Sequence, residues 1–100
     1  MAVTQAAPVQ LLFIRRVKDA SEQPGVYALW CLEGKRLSLL SVKESANIKI
    51  TWLIYHQLQR WHTHNRIVFS AYYTPELDAI RRQRLAEKIK KALPGEHLLR

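Results

Sequence analysis

The chain has 100 residues, 48% of them hydrophobic, and 16 lysine and arginine residues against 8 acidic residues give it a formal net charge of +8. This length suits one small domain with a hydrophobic core, and no apolar run approaches the roughly 18 residues that a membrane span needs. Cys31 is the single cysteine, which excludes an internal disulfide and a cysteine-based zinc site. Because the first ten residues lack the pattern of a secretory signal, we expect a cytoplasmic protein with no membrane partner.

The predicted elements begin with an apolar run at residues 11–14, which fits either a strand or a short helical segment. We assign residues 1–21 to an N-terminal extension that contains this run, and residues 22–100 to one domain. A β-type segment over 26–32 follows Pro24 and Gly25, and a short glycine-containing connection links it to a second segment over 36–42. Two such segments joined in this way predict a β-hairpin.

The first long helix is predicted over residues 45–62. Ser41 and Glu44 have the spacing of a capping box, and Ser45 is a second possible N-cap. Apolar residues cover more than one stripe of this helix, so we expect it to be largely buried. Its centre is rich in β-branched residues, which leaves a strand over 47–53 as an alternative.

A third strand over residues 67–73 and a second helix from 75 to about 93 complete the prediction. Thr74-Pro75-Glu76 combines an N-cap oxygen, a proline suited to the first helical position and an acidic residue, and Pro94-Gly95 ends the helix. The order of elements predicts an α+β fold, in which a small, mostly antiparallel sheet is flanked by two main helices.

The last predicted helix carries a dense run of basic residues. At about 100° per residue, four of them fall along one flank: Arg81, Arg84, Lys88 and Lys91. Such a stripe matches a row of phosphates and predicts nucleic-acid binding that depends on salt and discriminates weakly between sequences. The alternative is a solvated polar face opposite a buried one.

The start of the hairpin, Pro24-Gly25-Val26-Tyr27, resembles the first motif of the GIY-YIG nuclease family. The last helix, which contains Glu87 and is followed by Pro94, is similar to the last helix of that family. The resemblance covers about residues 22–99 and implies a GIY-YIG-like scaffold. In the family, two motif tyrosines, a helix arginine and a late glutamate build a metal-dependent site for phosphodiester cleavage. Tyr27 and Glu87 match the first tyrosine and the metal-binding glutamate.

The chain departs from the family at the second motif. Ser41-Val42-Lys43 stands where that motif is expected, so its tyrosine is missing and Lys43 replaces its glycine. Arg60 comes later than the arginine of the family's first helix. The resemblance therefore implies a degenerate scaffold that binds nucleic acid, with Lys43 adding positive charge near the ancestral cleft, and that needs no cofactor. The same resemblance also allows an active endonuclease that uses Tyr27, Arg60 and Glu87, with Mg²⁺ held by Glu87.

A second interpretation, from another class, is a protein-interaction or assembly subunit. The first helix contains more apolar surface than a domain of this size easily buries. A homodimer partner or a larger complex could cover it through three aromatic residues: Trp52, Tyr55 and Trp61.

Overall fold

The computed structural model describes residues 3–6, 9–59 and 66–98, which form an antiparallel sheet and two α-helices. The elements in chain order are β1 (Val3–Ala6), β2 (Val9–Phe13), a 3-10 turn η1 (Val17–Asp19), β3 (Gly25–Glu33), β4 (Arg36–Ser45), α1 (Ile48–Gln59), β5 (Arg66–Tyr73), α2 (Ala79–Ala92) and β6 (Glu96–Leu98). The predicted α+β fold is confirmed. Among the described residues, no helix is long and apolar enough to cross a membrane.

The strands of the sheet lie in the order β1-β2-β5-β3-β4-β6, and all neighbours are antiparallel. β3 is central and pairs with β4 and β5 along most of its length. Tyr27 on β3 is in register with Lys43 on β4 and with Ala71 on β5. The predicted hairpin is therefore confirmed, and it turns at Gly34, whose positive φ of 63° suits glycine.

The two helices cover opposite faces of this sheet. Successive side chains on a strand point to opposite faces. Tyr27, Leu29 and Phe69 belong to the core beneath α1, which we call the α1 face. Val26, Ala28 and Trp30 belong to the core beneath α2, which we call the α2 face. β3 is consequently buried from both sides.

Aromatic packing holds α1 on its face of the sheet. The ring of Phe69 stacks on Tyr27 with centroids 5.4 Å apart and on Trp52 with centroids 4.8 Å apart. Ile48 and Trp52 are the buried residues of α1, so the expectation that this helix is largely buried is wrong. The predicted helix is thus confirmed. The alternative strand over 47–53 is wrong, because the backbone of α1 forms helical hydrogen bonds and its buried side chains are one turn apart.

The start of α1 differs from the prediction. Glu44 and the residues before it belong to β4, so the predicted capping box does not form. Asn47 caps the helix instead, because its Oδ1 accepts a hydrogen bond from the backbone N–H of Ile50 at 3.1 Å. Ser45 lies two residues earlier, where its Oγ accepts from the N–H of Asn47 at 3.0 Å. The ladder with β3 extends β4 to Ser45, the residue at which the helix was predicted to begin.

The start of α2 also lies later than predicted. Asp78 is the N-cap, and its Oδ1 accepts a hydrogen bond from the backbone N–H of Arg81 at 2.8 Å. Thr74 is fully buried, and its N–H donates to the carbonyl oxygen of Pro24 at 2.8 Å. Thr74 therefore joins the end of β5 to the start of β3, and Thr74-Pro75-Glu76 forms a turn before the helix.

Three further strands of the described sheet lie outside the predicted hairpin and third strand. The apolar run at residues 11–14 contributes to β2, where Leu12 is in register with Ala71. β1 pairs with β2, so the segment assigned to an N-terminal extension belongs to the same sheet. β6 follows Pro94 and Gly95 and pairs with the first residues of β4.

Replacing Gly25 by alanine should destabilise the fold, because a Cβ there would collide with the backbone of Tyr72 and lie 3.1 Å from the Cα of Tyr73. We expect Gly25→Ala to lower the free energy of unfolding by about 1–3 kcal/mol, the usual range for overpacking. Urea denaturation measures this change.

Gly95→Ala is the matched control, since a Cβ there meets nothing within 4 Å. It should change the free energy of unfolding by less than about 0.5 kcal/mol. Equal stability of the two variants would contradict the close approach of β3 and β5.

Candidate nucleic-acid interface

α2 is an amphipathic helix whose buried face rests mainly on β4 and β3. Ala86 and Ile89 on the helix, with Leu93 just after it, enter the core that contains Trp30. Their spacing of three and four residues places them on one side of the helix. Pro94 then prevents the helix from continuing. The residues on the opposite side are left to the solvent.

Arg82 fixes the rotation of α2 about its axis. Its side chain points inward, where Nε donates to Oε2 of Glu44 on β4 at 2.9 Å and Nη1 donates to the carbonyl oxygen of Leu77 at 2.7 Å. Arg82 is only 8% exposed. A buried guanidinium needs such partners because leaving water is otherwise costly. Arg82 is spaced from Ala86 and Ile89 so that helical periodicity puts it on the inward side, but only the fold supplies its acceptors.

With this rotation, the four predicted contact residues point away from the sheet. All are exposed, and we call them the α2 cation stripe: Arg81, Arg84, Lys88 and Lys91. The stripe is about 15 Å long, given a rise of about 1.5 Å per residue. The ion pairs found within the described residues are Arg16–Asp19 and Arg82–Glu44, neither of which involves the stripe. Its charges therefore have no described carboxylate partner.

Lys43 lies on the other side of the molecule. It is exposed on β4 and in direct register with Tyr27, so its side chain belongs to the α1 face. The α2 cation stripe lies beyond the α2 face. The structure therefore does not bring Lys43 together with the other four predicted contact residues, because one step along β4 reverses the face.

Tyr27 occupies a nearly closed site under α1. It is 5% exposed, and its hydroxyl lies 3.4 Å from the hydroxyl of Tyr55. Burial removes the phenolate from water, and the hydrogen bond with Tyr55 adds to the effect, so the pKa of Tyr27 lies well above its ordinary value of 10.0. Tyr27 is therefore held in the neutral phenol form more firmly than an ordinary tyrosine.

Tyr55 is a site residue whose contact with Tyr27 was not predicted from the sequence. It follows Trp52 by three residues, so both fall on the same side of α1. That three-residue spacing was the signal in the sequence that could have placed Tyr55 on the buried side of α1 with Trp52. The register that places Tyr27 opposite the helix depends on strand pairing, which the local sequence does not encode.

The structure does not bring together Tyr27 and Glu87, the two residues predicted for cleavage that lie within the described part of the chain. Glu87 is exposed on α2, on the far side of the sheet from the Tyr27 hydroxyl. Arg60 lies outside the described residues. No group of three or more His, Cys, Asp or Glu side chains that could hold a metal ion occurs in the described part of the chain.

Two of the aromatic residues predicted to contact a protein partner pack within the fold. Trp52 is 2% exposed and stacked on Phe69. Tyr55 is half-buried against Tyr27. Trp61 lies outside the described residues. A partner-binding surface on α1 must therefore use other side chains of that helix.

Comparison with known proteins gives no family for this chain. No protein-family model, no curated protein and no solved structure matches it. The functional argument accordingly rests on the surfaces described above.

Arg82→Ala should lower the free energy of unfolding by about 1–3 kcal/mol, because it removes hydrogen bonds from a charged group and leaves Glu44 without its partner. Thermal or urea denaturation measures the loss. Arg84→Ala, an equal truncation on the exposed side of α2, should stay within about 0.5 kcal/mol of the wild type. If both variants lose equal stability, Arg82 does not anchor the helix.

Stability should fall at alkaline pH because of Tyr27. Its pKa is raised in the folded state, so above the ordinary value of 10.0 the unfolded chain releases this proton first. The free energy of unfolding then decreases by up to about 1.4 kcal/mol per pH unit for this one group. Denaturation between about pH 9 and about pH 11 should show a shallower decline for Tyr27→Phe than for the wild type. Parallel declines would contradict the raised pKa.

Proposed function

We propose that this protein is a small nucleic-acid-binding module that contacts phosphate groups through the α2 cation stripe. The observation that carries the proposal is the exposure of Arg81, Arg84, Lys88 and Lys91 along one side of a helix whose rotation is fixed by Arg82. A fixed helix presents its charges in a constant pattern, which lowers the entropy lost on binding.

The residue types of the stripe suit contacts with a phosphate backbone. An arginine can donate two parallel hydrogen bonds to one phosphate, whereas a lysine offers a mobile point charge. Phosphate contacts position a protein on nucleic acid without reading its bases. The formal net charge of +8 adds long-range attraction toward any polyanion. We therefore propose salt-dependent binding with little sequence preference.

Binding without cleavage is part of the proposal. A metal-dependent nuclease needs a metal ligand, a cation on the scissile phosphate and a group that handles the proton of the attacking water. Tyr27 and Glu87 lie on opposite sides of the sheet, which favours a binding role over an endonuclease. The GIY-YIG-like origin of the scaffold is proposed on the sequence motifs around Tyr27 and Glu87.

The direct test replaces Arg84 and Lys88 by glutamate and measures anisotropy of labelled single- and double-stranded oligonucleotides across a salt series. We expect the affinity at low salt to fall at least tenfold. The slope of log K against log salt for duplex DNA should shrink by about 0.9 for each phosphate that the variant no longer neutralises. Both residues are exposed, so the fold should be retained.

The charge-matched control is Lys18→Glu with Lys49→Glu, on η1 and α1. It changes the net charge equally but leaves the α2 cation stripe intact, so most of the affinity should remain. An equal loss of affinity in both variants would mean that net charge alone causes the effect, and would contradict a defined interface on α2. Adding Mg²⁺ and running the products on a gel tests the alternative: cleavage that disappears in Glu87→Ala would favour the endonuclease.

A further inference from the structure

The outer side of α1 is an exposed aliphatic surface. Four of its side chains remain about half exposed: Ile50 at 50%, Leu53 at 42%, Ile54 at 52% and Leu58 at 50%. Leu53, Ile54 and Leu58 follow Ile50 by three, four and eight residues, so the four form one band, which we call the α1 stripe. Such contiguous apolar surface on a small domain is typical of an interaction site.

Cations border the α1 stripe on the side of η1. A groove of about 430 Å³ separates the two segments, with Leu53, His56 and Gln57 on one wall. Its other wall is formed by Val17 and by the basic residues Arg15, Arg16 and Lys18. Arg16 is paired with Asp19 at 2.8 Å, whereas Arg15 and Lys18 take part in neither of the ion pairs found within the described residues.

The same surface offers no acidic group from α1 itself. The helix reads IKITWLIYHQLQ, so its charged and titratable side chains are Lys49, Tyr55 and His56. An aliphatic band with a basic border is complementary to an apolar band with an acidic border.

We propose that the α1 stripe and its groove bind an acidic amphipathic helix of another protein. The aliphatic side of that helix lies on Ile50, Leu53 and Ile54, and its flanking carboxylates meet Arg15 and Lys18 across the groove. Helix-in-groove recognition uses anchors spaced by three and four residues, as this surface does. The proposal is independent of nucleic-acid binding, because α2 covers the opposite face of the sheet.

Charge and shape favour this occupant over two others. A second copy in a two-fold dimer presents the same patch, and its α1 contributes no acidic side chain that could meet Arg15 and Lys18. An anionic lipid surface is flat, whereas Arg15 and Lys18 stand across a concave groove from Leu53. A helix with protruding side chains fills such a groove.

The experiment uses a display library of 18-residue helices with a fixed leucine band, in which the flanking positions vary among Glu, Gln and Lys. Selection against the full chain should enrich Glu at the flank that meets η1. Failure to obtain binders, or equal enrichment of Gln or Lys, overturns the proposal.

Variants then locate the site with the best selected peptide in an anisotropy titration. Ile50→Ser with Ile54→Ser should weaken binding at least tenfold. Ile80→Ser is the matched control, since Ile80 is an isoleucine on α2 that is 64% exposed, and it should leave the affinity unchanged. The variant with Arg15→Glu and Lys18→Glu should bind a Lys-flanked version of this peptide at least fivefold more tightly than the Glu-flanked original.

Two further measurements test the other possible occupants of this surface, a second copy of the chain and a membrane. Sedimentation that shows a dimer in the wild type but not in the Ile50→Ser, Ile54→Ser variant, without peptide binding, overturns the proposal in favour of a second copy. Binding to phosphatidylserine vesicles that the same variant abolishes, without peptide binding, overturns it in favour of a membrane surface. Peptide binding that instead depends on Arg84 and Lys88 would assign the peptide to the α2 cation stripe and also overturn it.

Discussion

Burial of β3 on both faces is the constraint on which the rest of the fold depends. The strand is buried from Gly25 through Trp30, so it needs a layer of apolar side chains above and below it. α1 supplies one layer through Trp52, and α2 supplies the other through Ile89. The aromatic stack on Phe69 and the ion pair of Arg82 then set the position of each helix. The placement of the residues on the two outer helix surfaces follows from these contacts.

The sheet divides the chemistry of the molecule between two sides. A phenol pair, Tyr27 on β3 and Tyr55 on α1, lies between the sheet and α1, where burial keeps the Tyr27 side chain away from bulk water. The exposed cations of α2 lie on the other side, together with Glu87. A reaction that needs Tyr27 and Glu87 at one phosphate has no common space between them. The proposed binding surface needs only one side of the sheet, the exposed side of α2.

The sequence predicted the elements with strong local signals and missed those that depend on pairing. The apolar hairpin and both helices were recognised, because their period and their turn residues are local. Both helix starts were placed too early, since tertiary contacts carry β4 through Glu44 and hold Thr74 in a buried turn. β1 and β6 are four and three residues long and pair on one side only, so little apolar pattern marks them. Helical periodicity found the outward cations, but the face occupied by Lys43 depends on strand register.

The opposite placement of the helices also bears on how this chain can change over time. Substitutions at Arg84 or Lys88 alter a surface that shares no described side-chain contact with Ile50 or Ile54, because the buried sheet lies between them. Selection on one surface therefore leaves the other unconstrained, provided that β3 keeps its two apolar layers. The interior should be the slowly varying part of such a lineage, while the two outer helix surfaces drift or adapt separately.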